Sequence, residues 1–130
     1  MRIIPATDYA EEMRNTVEPT LASIRTSGIM PVSDAPQGEG IYYEIYKTPN
    51  AKAAVVVSHG MSENTVKLQE VIYYMIEQGF AVYAPDHRGH GRSFRQSHHP
   101  NLAHVNDFND YVEDLHQFVS LIVKTDTDLP

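Results

Sequence analysis

The feature that most constrains the fold is a pair of short apolar runs separated by a helical pattern. Residues 53–58 (AAVVVS) and residues 80–85 (FAVYAP) are strand-sized, and the first is apolar on both faces, which is typical of a strand covered by helices on both sides of a parallel sheet. Gly79 is placed to end the intervening helix in the left-handed conformation. The helical pattern consists of Val66, Leu68, Val71, Ile72, Met75 and Ile76. This segment predicts a right-handed βαβ unit and therefore an α/β fold.

The residues before this unit carry weaker signals. Residues 8–25 are expected to be helical in two pieces, with Asp8 and Glu11 resembling a capping box and Pro19 near the start of the second piece. Residues 27–40 contain glycine and proline among polar residues and predict a loop, whereas residues 41–47 (IYYEIYK) predict a strand. We therefore divide the chain into an N-terminal helical extension, residues 1–39, and the α/β part, residues 40–130.

The residues after the unit predict a long polar loop and one more helix. The loop spans residues 86–105, and the helix begins near Asn106 with negative charge concentrated in its N-terminal half. Its apolar stripe consists of Phe108, Tyr111, Val112, Leu115, Phe118, Val119 and Ile122. Residues 126–130 are expected to lead into a further element, because a domain seldom closes on a helix and a short loop.

Charge and composition exclude several classes of function. The formal charge of −7 argues against a nucleic-acid binder, which presents a basic patch to phosphate. There is no run of Lys and Arg to hold an anionic membrane and no apolar stretch long enough to span one. The absence of cysteine excludes disulfides, thiolate metal sites and a cysteine nucleophile. It fits a reducing compartment, and since residues 1–13 lack an apolar signal-peptide core we expect a cytoplasmic protein.

The turn Ser58-His59-Gly60-Met61 follows the first apolar strand. Ligands of open α/β sheets bind at the carboxyl ends of strands, and unpaired backbone N–H groups at a helix start can stabilise negative charge that develops on a carbonyl oxygen. Gly60 would allow close approach of a substrate to the backbone. The alternative interpretation is a tight turn without a chemical role.

The loop of residues 86–93 (DHRGHGRS) follows the second apolar strand. Its two glycines suggest unusual backbone angles, and Arg88 is expected to pair with Asp86 or a neighbouring carboxylate. A structural role is one interpretation. A phosphate-binding loop is the other, although the third glycine and the lysine of such loops are absent.

Two further groups of residues suggest a nucleophile and a metal site. Ser62 lies in a Gly-x-Ser-x-Asn string and could act as a nucleophile with His116 and an upstream acid, but His116 falls in mid-helix and Ser62 is better explained as a hydrogen-bonding residue near a helix start. The remaining histidines raise the possibility of a metal site, yet no zinc signature is present, so solvent-exposed histidines and no metal are expected. The histidines in question are His87, His90, His98, His99 and His104.

Taken together, three strings resemble one family. They are VVVSHGMSEN, then GFAVYAPDHRGHGRS after a helix, then VNDFNDYVEDLHQFV, and they resemble the monoacylglycerol lipase and lysophospholipase branch of the α/β-hydrolases over residues 40–130. The resemblance implies the N-terminal part of an α/β-hydrolase fold, a mostly parallel sheet with flanking helices. It implies that the Met61 N–H is an oxyanion donor and that His59 and Gly60 contact the substrate.

The same resemblance implies a serine hydrolase of carboxylic esters that needs no cofactor. Its substrates would be monoacylglycerols, lysophospholipids or small acyl esters. The Gly-x-Ser-x-Gly nucleophile turn of the family is absent from these residues, so nucleophile, acid and base are expected beyond Pro130. This chain would then require the missing C-terminal half as its partner and be inactive alone.

Two other classes stay open at this stage. One is a non-catalytic α/β module that binds a partner or forms one half of a split enzyme. The other is a nucleotide-binding βαβ protein, although the chain lacks the glycine-rich turn of that class after its first strand.

Overall fold

The computed structural model describes residues 1–130, and its centre is a four-stranded mixed sheet. The strands are β1 (Arg25–Pro31), β2 (Gly40–Tyr46), β3 (Ala53–Val56) and β4 (Phe80–Pro85), in the spatial order β1-β2-β4-β3. β3 and β4 are parallel, whereas β2 pairs antiparallel with both β1 and β4. The predicted βαβ unit is confirmed, and the mixed sheet agrees with the N-terminal part of an α/β-hydrolase fold.

Helices cover both faces of the sheet. They are α1 (Tyr9–Glu12), a π-helical turn (Met13–Val17), α2 (Glu18–Ile24), a 3₁₀ turn (Thr65–Leu68), α3 (Gln69–Glu77), α4 (Phe108–Gln117), a second π-helical segment (Phe118–Val123) and α5 (Lys124–Asp126). Gly79 follows α3 with φ of 80°, as predicted for a left-handed terminator. Pro19 lies in the first turn of α2, where its missing N–H costs little. No helix is both long enough and apolar enough to cross a bilayer.

Successive side chains of β4 point to opposite faces of the sheet, so β4 contributes to two separate apolar clusters. Ala81 and Tyr83 pack in one apolar cluster with Phe118 of the C-terminal helical segment. Val82 and Ala84 point the other way and pack in a second cluster with Ile72 of α3. Every residue of β4 after Phe80 is buried, which explains its uninterrupted apolar sequence.

The loop predicted over residues 27–40 is wrong in its first part, because β1 occupies residues 25–31. β1 is hydrogen-bonded to β2 from Arg25 opposite Tyr46 to Pro31 opposite Gly40. The two residues that suggested a loop fit an edge strand. Gly28 leaves the space that the Tyr43 side chain fills, and Pro31 ends a strand that has only one neighbour.

Two smaller predictions about helices also fail. Asp8 makes no capping bond to α1, because its backbone has φ of −105° and ψ of 0° and lies outside the extended region that a capping residue requires. Phe108 and Val112 belong to the predicted apolar stripe, yet they are 70% and 56% exposed and do not join the core. They are on the side of α4 that faces the site described below.

β3 has a free edge, because it is the last strand in the sheet. The amide of Ala54 on this edge donates to the carbonyl oxygen of Pro130 at 2.8 Å. The last residues described therefore run beside β3 on the side away from β4.

Candidate functional site

A cleft of about 360 Å³ opens at the carboxyl ends of the parallel strands β3 and β4. Its floor comes from the loops that follow the two strands, and its apolar wall comes from α4. The lining residues are Ser58, His59, Gly60, Met61, His87, His90, Phe108, Tyr111, Val112 and Leu115. The position matches the rule that open α/β sheets bind ligands at the carboxyl ends of their strands. Both motifs singled out in the sequence thus contribute to one cleft.

His59 connects the loop after β3 to the loop after β4. Its Nε2 accepts a hydrogen bond from the backbone N–H of His87 at 2.9 Å, and its Nδ1 lies 2.8 Å from the carbonyl oxygen of Gly60. Because Nε2 accepts, the ring must be neutral with its proton on Nδ1, which donates to Gly60. Burial lowers the pKa of His59, which favours the same neutral form.

His90 makes the reciprocal connection. Its Nε2 accepts from the backbone N–H of Ser62 at 3.1 Å, and its Nδ1 lies 3.0 Å from the carbonyl oxygen of Arg88. The same reasoning gives a neutral ring with the proton on Nδ1. The two loops are therefore joined by a pair of neutral imidazoles, each accepting an amide from the opposite loop.

His87 lines the cleft together with these two rings. Its Nε2 is 2.9 Å from the hydroxyl of Ser58, and its ring centroid is 4.5 Å from that of His59. Burial, together with repulsion from the neighbouring His59 and His90, lowers the pKa of His87 to about 4. The lowered pKa values favour the uncharged forms of His59 and His87 in the floor of the cleft.

The turn formed by Gly60, Met61 and Ser62 has one free amide. The N–H of Gly60 donates to Oε2 of Glu63 at 2.9 Å, and the N–H of Ser62 donates to His90. The N–H of Met61 makes no hydrogen bond within the chain. The Met61 side chain is 65% exposed, and the residue lines the cleft. The amide that the sequence singled out is thus the unpaired donor of this turn.

Asp86 holds the two loops together beneath the histidines. Its buried carboxylate accepts the N–H of Thr65 at 2.8 Å through Oδ1 and the N–H of Arg92 at 3.0 Å through Oδ2. Gly91 has φ of 50°, and a side chain there would overlap the Asp86 carboxylate. The sequence predicted unusual backbone angles at the glycines of this loop, and Gly89, with φ of 74°, shows the same.

Of the two kinds of partner that the sequence allowed for Arg88, it pairs not with Asp86 but with carboxylates outside its own loop. Asp114 of α4 accepts from Nε at 2.7 Å and from Nη2 at 2.8 Å, and both side chains are about 95% buried. Asp34 accepts from Nη1 at 2.7 Å, and Asp110 lies 3.3 Å away. This network fixes α4, and hence the apolar wall of the cleft, to the loop that carries the histidines.

Sequence reasoning missed Asp114, although one signal was available. Asp114 lies three residues after Tyr111 and four before Phe118, which places a carboxylate on the buried stripe of its helix. A charged residue in such a position requires a partner. Asp34 gave no comparable signal, because it is in the segment that predicted only a loop.

The alternative catalytic and metal arrangements do not assemble. The hydroxyl of Ser62 hydrogen-bonds to no histidine, and Asn64, not Ser62, caps the following 3₁₀ turn by accepting from Lys67 at 3.2 Å. No group of three or more His, Cys, Asp or Glu side chains is arranged to hold a metal ion. The expectation of solvent-exposed histidines is correct for His98, His99 and His104 and wrong for the half-buried His87 and the buried His90.

Comparison with known proteins gives a consistent result. The model of the family described as serine aminopeptidase, S33, matches residues 49–130. Lysophospholipase L2 of Escherichia coli strain K12 is 44% identical over 73 residues, which are 56% of this chain and 22% of that protein.

Two lipases give longer matches. The monoacylglycerol lipase of Mycolicibacterium smegmatis is 33% identical over 95 residues, which are 72% of this chain and 32% of that protein. Human monoglyceride lipase is 31% identical over 112 residues, which are 82% of this chain and 35% of that protein. The chain thus spans between 22% and 35% of the length of these relatives. It belongs to the serine aminopeptidase S33 family, on the lysophospholipase and monoacylglycerol lipase branch, and carries the N-terminal part of that α/β-hydrolase fold.

Proposed function

We propose that this chain supplies the first oxyanion donor and part of the substrate cleft of a serine hydrolase that cleaves carboxylic esters. The observation that carries the proposal is the free N–H of Met61, flanked by the engaged amides of Gly60 and Ser62 at the mouth of an apolar cleft. A donor without a partner inside the chain is ready to bind an oxygen that becomes negative. Gly60 brings the backbone close to the substrate, and His59 forms the cleft wall beside it.

The proposed reaction proceeds through an acyl-enzyme. A serine outside residues 1–130 attacks the ester carbonyl carbon while a histidine takes the hydroxyl proton. The carbonyl oxygen becomes an oxyanion that accepts from the Met61 N–H and from a second amide beside the nucleophile. The intermediate then collapses, the alcohol leaves with the proton from the histidine, and water releases the acid by the reverse sequence. No metal or organic cofactor takes part.

The substrate class follows from the walls of the cleft. Phe108 and Val112 expose apolar surface beside the polar floor, and Met61 adds a flexible apolar side chain at the rim. Burying a methylene group on such surface is worth about 0.8 kcal/mol, so acyl chains are favoured over small polar substituents. We propose monoacylglycerols, lysophospholipids or related acyl esters, in keeping with the names of the relatives.

The missing catalytic residues are proposed to lie in a C-terminal half that pairs with β3. The free edge of β3 and the bond from Ala54 to Pro130 support this, since a strand continuing from Pro130 would already be beside β3. Residues 1–130 alone are then inactive and, with an apolar strand edge open, prone to aggregate. A cytoplasmic location is proposed from the absence of cysteine.

The test replaces Met61 in the full-length protein. Met61→Pro removes the N–H. Met61 is the second residue of a turn that is closed by the Glu63 N–H and the Gly60 carbonyl oxygen and has positive φ at Ser62, and proline is common at the second position of such turns. Loss of one oxyanion donor lowers kcat by about 100-fold to 1000-fold. Met61→Ala keeps the N–H and is the matched control, with kcat expected to stay within about threefold of the parent by the same reasoning. Hydrolysis of a monoacylglycerol is the assay, and an unchanged kcat in Met61→Pro would refute the assignment.

A further inference from the structure

The position of the Met61 amide depends on bonds made by its neighbours. In the turn of Gly60, Met61 and Ser62, the flanking amides are the ones that are held, by Glu63 on one side and by His90 on the other. Glu63 is partly exposed and is also paired with Lys67 at 3.1 Å. His90 is 4% exposed and has no such competing partner. The rigid attachment of the turn is therefore the one to His90.

His90 is held in position, and its two hydrogen bonds fix its tautomer. Its Nδ1–H donates to the carbonyl oxygen of Arg88, whose side chain is anchored by the buried pair with Asp114. The ring also packs against His59 at 5.1 Å and Tyr111 at 6.2 Å between centroids. With Nδ1 engaged as a donor, Nε2 can only accept, and it is aimed at the Ser62 amide.

The turn needs such an attachment because its backbone is strained. Ser62 has φ of 61°, a conformation that costs a residue with a side chain about 1–2 kcal/mol. One intramolecular hydrogen bond contributes about 0.5–1.5 kcal/mol, which is comparable. Without an acceptor for its N–H, Ser62 would relax toward negative φ and the Met61–Ser62 peptide would rotate. The Met61 N–H belongs to the preceding peptide, so it would shift through the movement of the Met61 Cα that the two peptides share.

We propose that His90 is a positioning residue for the oxyanion donor: by accepting the Ser62 N–H, it holds the turn so that the Met61 N–H faces the cleft. The inference rests on the proposed function and extends it, because it assigns a role in the reaction to a histidine that acts through a backbone amide and not on the reacting carbonyl group. His90 acts through the backbone nitrogen of Ser62. Only the carbonyl carbon and the Cα of Met61 separate that nitrogen from the Met61 nitrogen, which carries the proposed donor N–H.

The experiment compares three variants of the full-length protein. His90→Phe keeps a flat ring of similar size and removes the acceptor, whereas His90→Gln keeps an amide oxygen close to the position of Nε2. His98→Ala is the matched control, since His98 is an exposed histidine of the same loop region without a side-chain bond. Displacing a reacting group by about 1 Å costs up to about 100-fold in rate, so His90→Phe is expected to lower kcat by about 10- to 100-fold with KM within about threefold. His90→Gln is expected to recover most of the lost kcat.

A second readout separates positioning from general loss of structure. A trifluoromethyl ketone analogue of the substrate forms a tetrahedral oxyanion on the enzyme, whereas an ether analogue binds without forming one. His90→Phe should weaken the ketone by the same factor by which it lowers kcat/KM and leave the ether unchanged. If both analogues are weakened equally, or if His90→Phe matches His98→Ala, the positioning role is overturned. If Met61→Pro keeps full kcat, the proposed function itself fails, which is a different outcome.

The wild-type protein provides a test that does not depend on the folding of a variant. Nitrogen-15 NMR of the imidazole rings distinguishes the two neutral tautomers. The His90 ring should carry its proton on Nδ1 at neutral pH, with a scalar coupling across the hydrogen bond from the Ser62 amide to Nε2. A proton on Nε2 of His90 would be incompatible with the inference, because that nitrogen could no longer accept.

Discussion

Asp114→Asn should destabilise the protein far more than Asp34→Asn, although both carboxylates bind the same arginine. Arg88 is 4% exposed and Asp114 is 5% exposed, so the pair they form is out of contact with water. Asp34 is 46% exposed and binds the side of the guanidinium that is nearer to solvent. The two variants remove one carboxylate charge each and keep the side-chain shape, so they differ mainly in burial.

The expected magnitude follows from that difference. Removing one partner of a buried ion pair typically costs 3–5 kcal/mol, because the remaining charge is left uncompensated. Arg88 would still have Asp34 at 2.7 Å and Asp110 at 3.3 Å, which places Asp114→Asn near the lower end, at about 3 kcal/mol. Exposed pairs contribute about 0–1 kcal/mol, so Asp34→Asn should cost less than about 1 kcal/mol.

Urea unfolding of the full-length protein, followed by circular dichroism, measures both variants. With a denaturant slope of about 1–3 kcal/mol per molar urea, a loss of about 3 kcal/mol lowers the midpoint by about 1 M or more. Asp34→Asn should shift it by a fraction of that amount. If the two midpoints agree within error at equal slopes, the buried pair does not fix α4 to the loop after β4, and the reasoning is refuted.

Three further outcomes are expected. Gly91→Ala should lower stability more than Gly38→Ala in thermal melts, since both glycines have positive φ but only a side chain at position 91 would overlap the Asp86 carboxylate; equal losses would contradict this. The pKa of His87 is lowered from 6.5 to about 4, so the unfolded chain binds the extra proton as the pH falls from about 6.5 to about 4 and stability drops across that window. The melting temperature of His87→Gln should therefore fall less than that of the parent over the same range. Prolonged dialysis against a chelator should leave the proposed esterase activity of the full-length protein unchanged, and restoration of lost activity by zinc would count against a metal-free site.

The sequence predicts those elements whose signals are local. Residues 80–85 are apolar without interruption because they form β4, which is buried from Ala81 onward, and residues 53–56 form the half-buried β3 beside it. Gly79 ends α3 because only a left-handed residue fits there. β1 was not predictable in this way, because its stability comes from pairing with β2 and from Tyr43 filling the space beside Gly28. Long-range pairing outweighs the local preference for a turn. The division into residues 1–39 and residues 40–130 stays a prediction.

The sequence predicts where the site lies, but not the ion pairs and hydrogen bonds that build it. The positions of both motifs follow from the rule for strand ends, and the glycines of the second motif follow from backbone angles that other residues rarely adopt. The partners of Arg88 come from two distant parts of the chain, and nothing near Arg88 in the sequence identifies them. Likewise, a histidine that accepts a backbone N–H has the same sequence signature as an exposed one, so His90 and His98 differ only in the folded chain.

The two motifs form one structural unit, because each loop provides a histidine nitrogen that accepts a backbone N–H of the other loop. The sheet itself does not connect the loops, since β3 ends at Val56 and β4 ends at Pro85. Beyond those residues the connections include His59 accepting from the second loop, His90 accepting from the first, and Asp86 accepting the N–H groups of Thr65 and Arg92. Both acceptors exist only while the imidazoles are neutral, because a protonated Nε2 would face a backbone N–H. Loss of the His90 acceptor would release the Ser62 N–H beside the free amide of Met61, and loss of the His59 acceptor would release the His87 N–H of the loop after β4. Both rings therefore support the geometry around the proposed oxyanion donor.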